Sequence, residues 1–393
     1  MLVIVAPGQG AQAPGFLSPW LELPHFEDRL RWLSACAGLD LIHYGTEADA
    51  DTIRDTAIAQ PLLVAAGLVS ALEVFPHPSD AFQSVGATAG HSVGEITAAA
   101  GTGVISAEQA MVLVRERGRA MADAAALKPT GMTAVLGGDP DEVAAALDRH
   151  GLTAANQNGA GQVVAAGSLE QLEQLKNDPP ARARLVPLAV AGAFHTEHMA
   201  PAVDTLARYA RAVSVHDPRA SLLSNRDGAV VASGPEVLTR IVTQVSNPVR
   251  WDLCMQTMGE LGVTGVIEVP PAGTLTGLIK RALPSVETVA LKTPDDLEAA
   301  RDLVARHGAR APQSHSPTWR MIVAPAKGTV RLPQLAVGAT LTPGSTVATL
   351  VSLRDEQPVA APHGGTIVEW LVEDGDPVSP GQPLVRLHPE AGS

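Results

Sequence analysis

The 393-residue chain is poor in cysteine and in positive charge, and it has no long uninterrupted apolar run. Its two cysteines, Cys36 and Cys254, stand far apart and form no metal-binding or redox spacing. They read as reduced thiols in or near a core. Lys and Arg number 28 against 41 Asp and Glu, a formal net charge of −13. A negative field of that size repels phosphates and excludes nucleic acid as a general partner. No continuous apolar stretch reaches the ~18 residues of a membrane span. The opening MLVIVA is too short for a signal-peptide core and carries no basic lead, so it reads as a buried first strand. These absences predict a cytoplasmic protein with neither a membrane nor a nucleic acid as partner. An acidic partner could still use a local basic patch, for which Arg115, Arg117 and Arg119, or Lys280 and Arg281, are candidates; a solvated helix face explains such residues equally well.

What is present is the composition of a globular protein, 46% hydrophobic and 18% charged, with length enough for two or three domains. Residues 1–306 alternate short apolar runs (2–6, 132–136, 163–166, 263–269) with Ala-rich helical stretches (61–74, 107–125, 140–149). That alternation predicts an α/β fold with a largely parallel sheet. Residues 128–193 read as a small inserted unit, strand-helix-strand-helix-strand, suited to a ferredoxin-like layer. The core is thus expected over 1–127 and 194–306. Residues 307–320 (HGARAPQSHSPTWR) read as a linker. Beyond them Pro325, Gly328, Gly338, Gly344, Val347 and Leu350 recur 37 residues later as Pro362, Gly365, Gly375, Gly381, Leu384 and Leu387. Turn glycines between short Val/Leu strands predict two similar all-β halves packed together over 321–389.

The segment Gly90-His91-Ser92-Val93-Gly94 matches a strand-turn-helix nucleophile elbow. Glycines are needed there because side chains at either end would strike neighbouring backbone. The turn lifts the Ser92 hydroxyl off the sheet and onto a helix N-terminus, where amide donors favour negative charge. The flanking VGATAG and GEITAAA suit a strand end and a helix start. A serine needs a base. His91 is adjacent, but side chains diverge on a tight turn. His195, in AGAFHTEHM, follows the strand-like run LVPLAVAG, and a histidine at a strand end of an α/β sheet is well placed. Position alone nevertheless favours a surface or packing histidine, and His198 competes.

Five segments in order, PGQGAQ at 7–12, GHSVGE at 90–95, RERG at 115–118, GAFH at 192–195 and QVSNPVRW at 244–251, resemble the malonyl-CoA:acyl carrier protein transacylases and the related acyltransferase domains of polyketide synthases. The resemblance covers nearly all of residues 1–306. It implies Ser92 as nucleophile, His195 as general base, the backbone amides of Gln9 and Val93 as the oxyanion hole, and Arg117 as the group that binds the malonyl carboxylate. It also implies that a main-chain carbonyl around Gln244 to Asn247 orients the histidine, in place of a third acid. Spacing does not choose Arg117 over Arg115 and Arg119; the resemblance does. Phe194 is an expected selectivity residue, its ring filling the space an α-methyl needs, while ordinary core packing is the alternative. The stretch EVPPAG departs from the family's E-V-G-P-G, with Pro270 and Ala272 where two glycines are usual. Coenzyme A thioesters and an acyl carrier protein are the implied partners, and no metal is expected.

Residues 321–389 resemble a biotinyl/lipoyl carrier domain, a flattened barrel of two halves. Aligned back from Ala361-Pro362, the modifiable Met-Lys-Met falls on Leu353-Arg354-Asp355, and Arg354 has no nucleophilic amine. Lys327, the region's single lysine, lies in the first half. No bound cofactor, biotin or lipoate is therefore expected. Competing readings are another acyltransferase of the same fold, such as the malonyl-transferring subunit of a malonate decarboxylase, a plain esterase, and a binding module with a decayed catalytic half. Arg117 argues against the esterase, since hydrolysis needs no carboxylate clamp. An intact Ser92, His195 and Arg117 set argues against decay.

Overall fold

The computed structural model describes residues 1–75, 77–190, 192–308, 320–352 and 355–389. The chain divides into two compact units, Met1–Ala311 and Pro312–Ser393.

The first unit is built on a five-stranded, all-parallel sheet in the order Glu287–Ala290, Gly265–Glu268, Leu2–Ala6, Val85–Gly90, Ser221–Leu222. Its central strands, LVIVA and VGATAG, are almost wholly buried. Parallel strands covered on both faces are expected to be continuously apolar. Helix Thr56–Val74 packs against helix Ala107–Ala126. Their approach is close: a Cβ on Gly118 would lie 2.8 Å from the Thr56 carbonyl oxygen. Ser106 starts the second helix with a capping box, its hydroxyl accepting from the Gln109 amide while the Gln109 side chain accepts from the Ser106 amide.

Helix Thr56–Val74 is the described segment that comes nearest to membrane length. An 18-residue stretch of this 19-residue helix has a mean hydropathy of 1.8, enough by length and composition to cross a membrane, and 67% of that stretch is buried. Thr56, Gln60, Ser70 and Glu73 interrupt the apolar run, so a count of consecutive apolar residues passes over it. Here it is a core helix of the first unit.

Residues 130–187 form a βαββαβ unit. Its sheet runs Ala183–Pro187, Thr130–Gly137, Gln162–Ser168, Thr153–Gly159, and these four are antiparallel. The segment read as one strand ending in QVVAAG is a hairpin of two, turning at Ala160 and Gly161 with φ of 50 and 73°. Its first strand, TAANQNG, has no apolar alternation to announce it. A fifth strand, Val249–Arg250, adds in parallel to Thr153–Gly159 and ties the unit to the chain that follows helix Gly234–Gln244. The strand-like run LVPLAVAG is strand only as far as Pro187.

The linker expectation also shifts. His307 closes helix Leu297–His307 and Arg320 opens strand Arg320–Val323, while residues 309–319 lie outside the described set. The second unit has two four-stranded antiparallel sheets, Arg320–Val323/Pro383–Pro389/Gly365–Trp370/Thr340–Leu341 and Glu356–Ala360/Thr346–Val351/Gly328–Arg331/Pro377–Val378. A shift of 37 residues along the chain carries each strand of one sheet onto a strand of the other, in the same order. The paired glycines share their backbone conformation: φ is 91 and 94° at Gly338 and Gly375, 86 and 83° at Gly344 and Gly381. Only glycine holds such angles without strain. Arg354 lies outside the described residues.

The EVPPAG loop is organised by Glu268, which is fully buried. Its carboxylate accepts the amides of Gly273 (2.8 Å), Leu275 (3.0 Å) and Thr276 (2.8 Å) at the start of helix Thr274–Ala282. Ala272 is held at φ 22°. Removing the carboxylate leaves three amides at a helix N-terminus without an acceptor, so Glu268→Ala is expected to lose about 3 kcal/mol of stability. Chemical denaturation measures this, and a loss below about 1 kcal/mol would contradict the capping role.

Candidate active site

The elbow is a product of close backbone approach. A Cβ on Gly90 would fall 1.9 Å from the Gly94 carbonyl carbon, and one on Gly94 would fall 2.2 Å from the Ala6 carbonyl oxygen. Neither position admits a side chain. Between them Ser92 is held at φ 53°, a conformation that costs a non-glycine residue about 1–3 kcal/mol. Helix Gly94–Gly101 starts immediately after, with Val93 at its N-cap.

Asn225, just beyond strand Ser221–Leu222, holds the strained turn. Its side-chain oxygen accepts the Ser92 amide at 2.8 Å, and its side-chain nitrogen donates to the Gly90 carbonyl at 2.7 Å. His91 turns away, its Nε2 2.9 Å from Asn158 Oδ1 and its ring against Trp251. The PGQG loop lies beside the elbow, since a Cβ on Gly8 would come within 2.9 Å of His91 Nδ1. The Gln9 side chain donates to the Arg54 carbonyl at 3.1 Å. Among the described residues, neither the Gln9 nor the Val93 amide donates to another protein group.

His195 reaches Ser92 by a different route from the one its sequence position suggests. It follows an irregular stretch, not a strand end, and sits in a tight turn at φ 62°. The turn is pinned by the His195 amide donating to the Val245 carbonyl at 3.0 Å and by Thr196 Oγ1 donating to the Ala193 carbonyl at 2.7 Å. Nε2 lies 2.8 Å from Ser92 Oγ, and Nδ1 lies 2.8 Å from the Gln244 carbonyl oxygen. A carbonyl can only accept, so Nδ1 carries the proton and Nε2 is free to receive the serine's. Asn247 does not share this task through its side chain, which is exposed and donates back to the Thr243 carbonyl at 2.7 Å. Only its backbone bears on the imidazole. His198 is half-buried, and among the described residues the imidazole hydrogen-bonded to Ser92 is that of His195.

Arg117 departs from the basic-patch reading. It is 1% exposed, on the buried stripe of its helix with Leu113, Val114 and Met121. Arg115 and Arg119 stand outside that stripe, each paired with Glu116. The Arg117 guanidinium donates to Gln60 Oε1 (2.7 Å) and Gln244 Oε1 (2.8 Å), and Nη2 lies 3.4 Å from Ser92 Oγ. Its Nε is buried without a partner, and no carboxylate among the described residues forms an ion pair with it. Phe194 is buried at 6% in the main core, its ring against Gly192.

Burial sets the charge states. It pushes the Arg117 pKa down to about 10, with Glu95 partly opposing, so the guanidinium remains a cation near neutrality. Burial, and then the Arg117 charge, push His195 down to about 3. Burial raises Glu95 to about 7 against the hydrogen bonds from Asn225 and Gln244. A cavity of about 580 Å³ lies elsewhere, lined by Ile4, Leu68, Leu72, Phe75, Phe82 and Ala98 among others, and includes none of the three central residues. Volume does not mark this site; chemistry does.

Reading the sequence missed Gln60, Glu95 and Asn225. Glu95 was inside a quoted motif but had no role. Asn225 had one usable signal, a polar residue just past a parallel strand. Gln60 had none, being a single amide on an apolar helix.

The comparisons with known proteins follow this geometry. The family profile described as an acyl transferase domain matches residues 3–301. The malonyl CoA-acyl carrier protein transacylase of Mycobacterium tuberculosis is 51% identical over 303 residues, 77% of this chain and 100% of that protein. The Escherichia coli protein of the same name is 31% identical over 306 residues, 76% of this chain and 98% of its own. A crystal structure of the M. tuberculosis enzyme superposes with a TM-score of 0.74, covering 77% of this chain and 99% of that one. A malonyl-transacylase in complex with a type II PKS acyl-carrier protein, 29% identical, gives 0.71 with 77% and 99% covered. The chain belongs to the acyl transferase family and, within it, to the malonyl CoA-acyl carrier protein transacylases.

The low basicity of His195 carries a sign. A histidine of ordinary pKa would lose its base form as pH falls through 6.5, about 30-fold by pH 5. His195, displaced to about 3, stays neutral over that range. Labelling of Ser92 by an uncharged organophosphonate is therefore expected to stay level from about pH 8 to about pH 5. A fall through 6.5 would contradict the environment described.

Proposed function

We propose that this chain transfers a malonyl group from coenzyme A to the phosphopantetheine thiol of an acyl carrier protein through an ester on Ser92. One observation carries the reading: a buried cationic guanidinium, unpaired with any carboxylate of the described residues, stands 3.4 Å from a hydroxyl that a neutral imidazole is placed to deprotonate.

Ser92 Oγ attacks the thioester carbonyl carbon as its proton passes to His195 Nε2. The carbonyl oxygen becomes an oxyanion, received by the Gln9 and Val93 amides; losing one such donor typically costs about 10²–10³ in rate. Collapse breaks the carbon–sulfur bond, and the departing thiolate takes the proton back from His195. The carrier thiol then attacks the malonyl ester by the reverse sequence, a ping-pong scheme. Arg117 holds the malonyl carboxylate through parallel charge-assisted hydrogen bonds. Burial first and the Arg117 charge second hold His195 down; the substrate carboxylate offsets the second, so an acid-bearing substrate makes its own base stronger. Acetyl-CoA leaves Arg117 unpaired and His195 weak.

In the same reading the βαββαβ unit is a ferredoxin-like subdomain, and the second unit is a flattened two-repeat barrel of the biotinyl/lipoyl type. That barrel carries no biotin or lipoate because Arg354 takes the place of the modifiable lysine, and it serves docking or assembly. The protein works in the cytoplasm and supplies fatty-acid or polyketide synthesis.

Intact mass spectrometry after mixing with malonyl-CoA tests the reaction. A single malonyl adduct is expected, absent in Ser92→Ala and discharged by a phosphopantetheinylated carrier protein. An adduct that survives Ser92→Ala would overturn the assignment, and a biotinyl or lipoyl mass on the purified chain would overturn the unmodified barrel. Arg117→Ala is expected to lower kcat/KM for malonyl-CoA about 100-fold while sparing acetyl-CoA. With Phe194 filling the α-methyl space, malonyl-CoA is expected to be favoured over methylmalonyl-CoA by about 10-fold or more, and Phe194→Ser to narrow the gap. Equal kcat/KM for the two thioesters would refute that role.

A further inference from the structure

Behind the guanidinium lies a buried acid that the transfer chemistry does not use. Glu95 is 5% exposed, the last residue of GHSVGE, in the first turn of the elbow helix. One carboxylate oxygen accepts the Asn225 backbone amide and the other accepts Gln244 Nε2. The Gln244 amide is thereby given a direction. Its nitrogen faces Glu95, the Ser92 carbonyl (3.1 Å) and Asn225 Oδ1 (3.2 Å), and its oxygen faces Arg117 Nη2 (2.8 Å).

We propose that Glu95 is a positioning residue for acid-bearing substrates: its carboxylate anchors the nitrogen end of the Gln244 amide, so that the oxygen end is held against Arg117 and the guanidinium is aimed at the substrate's carboxylate. The inference rests on the reading of Arg117 as the malonyl clamp.

The reason is donor arithmetic. A carboxylate accepts at both oxygens, which is what two facing donors require. A neutral group of the same shape accepts fully at one end only: its other end is an NH₂ that donates in glutamine, or a hydroxyl that carries a proton and is a much poorer acceptor in the protonated acid. The Asn225 donor is main chain and cannot turn, so the accepting end goes to it. The donating end then meets Gln244 Nε2, donor against donor. Gln244 does not answer by flipping, since the Ser92 carbonyl and Asn225 Oδ1 also require its NH₂; the amide is pushed off Glu95 instead, which displaces the oxygen that holds the guanidinium. Acetyl-CoA, with no carboxylate to place, is indifferent to that aim.

The groups facing Glu95 are Arg117, Arg240 and Gln244 from two helices, Asn225 from the loop, and Cys254 from helix Trp251–Glu260. Arg240 is committed to Asp227 and Glu236, and burial raises the Cys254 thiol far beyond the working range. Arg117 at about 10 and His195 at about 3 also keep their charge states near neutrality. Glu95, near 7, is the group among these that changes.

The test is the ratio of kcat/KM for malonyl-CoA to that for acetyl-CoA. In the wild-type protein the ratio is expected to fall about tenfold from about pH 8 to about pH 6 as Glu95 gains a proton. In E95Q it is expected to be about 10–100-fold lower at pH 8 and flat with pH. A merely structural role would lower both thioesters by one factor and leave the ratio alone, and that result in E95Q overturns the proposal. So does a wild-type ratio that is flat from about pH 8 to about pH 6, a measurement that needs no variant to fold. Wild-type protein that accepts no malonyl group at all overturns the transferase reading itself, whereas a malonyl preference untouched by E95Q overturns this inference alone.

Discussion

A guanidinium buried with no carboxylate partner among the described residues is the constraint on which the site depends. Taking a cation out of water is costly, and proteins normally supply a paired charge. Arg117 instead has two neutral amide oxygens and an idle Nε. The unit tolerates this because the helix bearing Arg117 is locked against helix Thr56–Val74 at Gly118, and because Glu95 lies close enough to oppose the desolvation without forming a direct pair. The deficit that remains is a binding preference. A ligand that brings its own carboxylate completes the charge balance.

The nucleophile is held with the same economy of contact. Both elbow glycines are fixed by backbone atoms, of Gly94 in one case and Ala6 in the other. The turn therefore has its shape from the meeting of the first two strands and the elbow helix, and not from Ser92. Asn225 and Gln244 then grip the strained residue through its own amide and carbonyl. The imidazole across from it answers to a main-chain carbonyl, which orients the ring but lends no charge. Burial, and then the Arg117 charge, make that base weak although the carbonyl contact favours its proton, and a substrate carboxylate offsets the Arg117 part.

Much of the architecture was legible in the sequence because it is local. Strand Leu2–Ala6, helix Pro140–Arg149 and the elbow's strand and helix announce themselves through apolar runs, proline at a helix start and turn glycines. The hairpin strand TAANQNG did not, because its polar residues serve the fold by pairing and by Asn158 reaching His91. His195 was reached by resemblance; its position after a supposed strand was a misleading argument, since the strand ends at Pro187. Arg117 could have been chosen over its neighbours by placing it on the buried stripe of its helix. The amide network of Gln60, Asn225 and Gln244 was out of reach. It joins segments far apart in the chain, and no periodicity encodes such meetings.

The second unit's strand order has a consequence of its own. Each of its sheets takes two strands from the first half of the sequence and two from the second. The halves are interleaved and not set side by side, so a chain severed at their junction would leave both sheets half-built, with bare strand edges on either fragment. The two stretches related by the 37-residue spacing are therefore one folding piece, and neither holds its strands without the other.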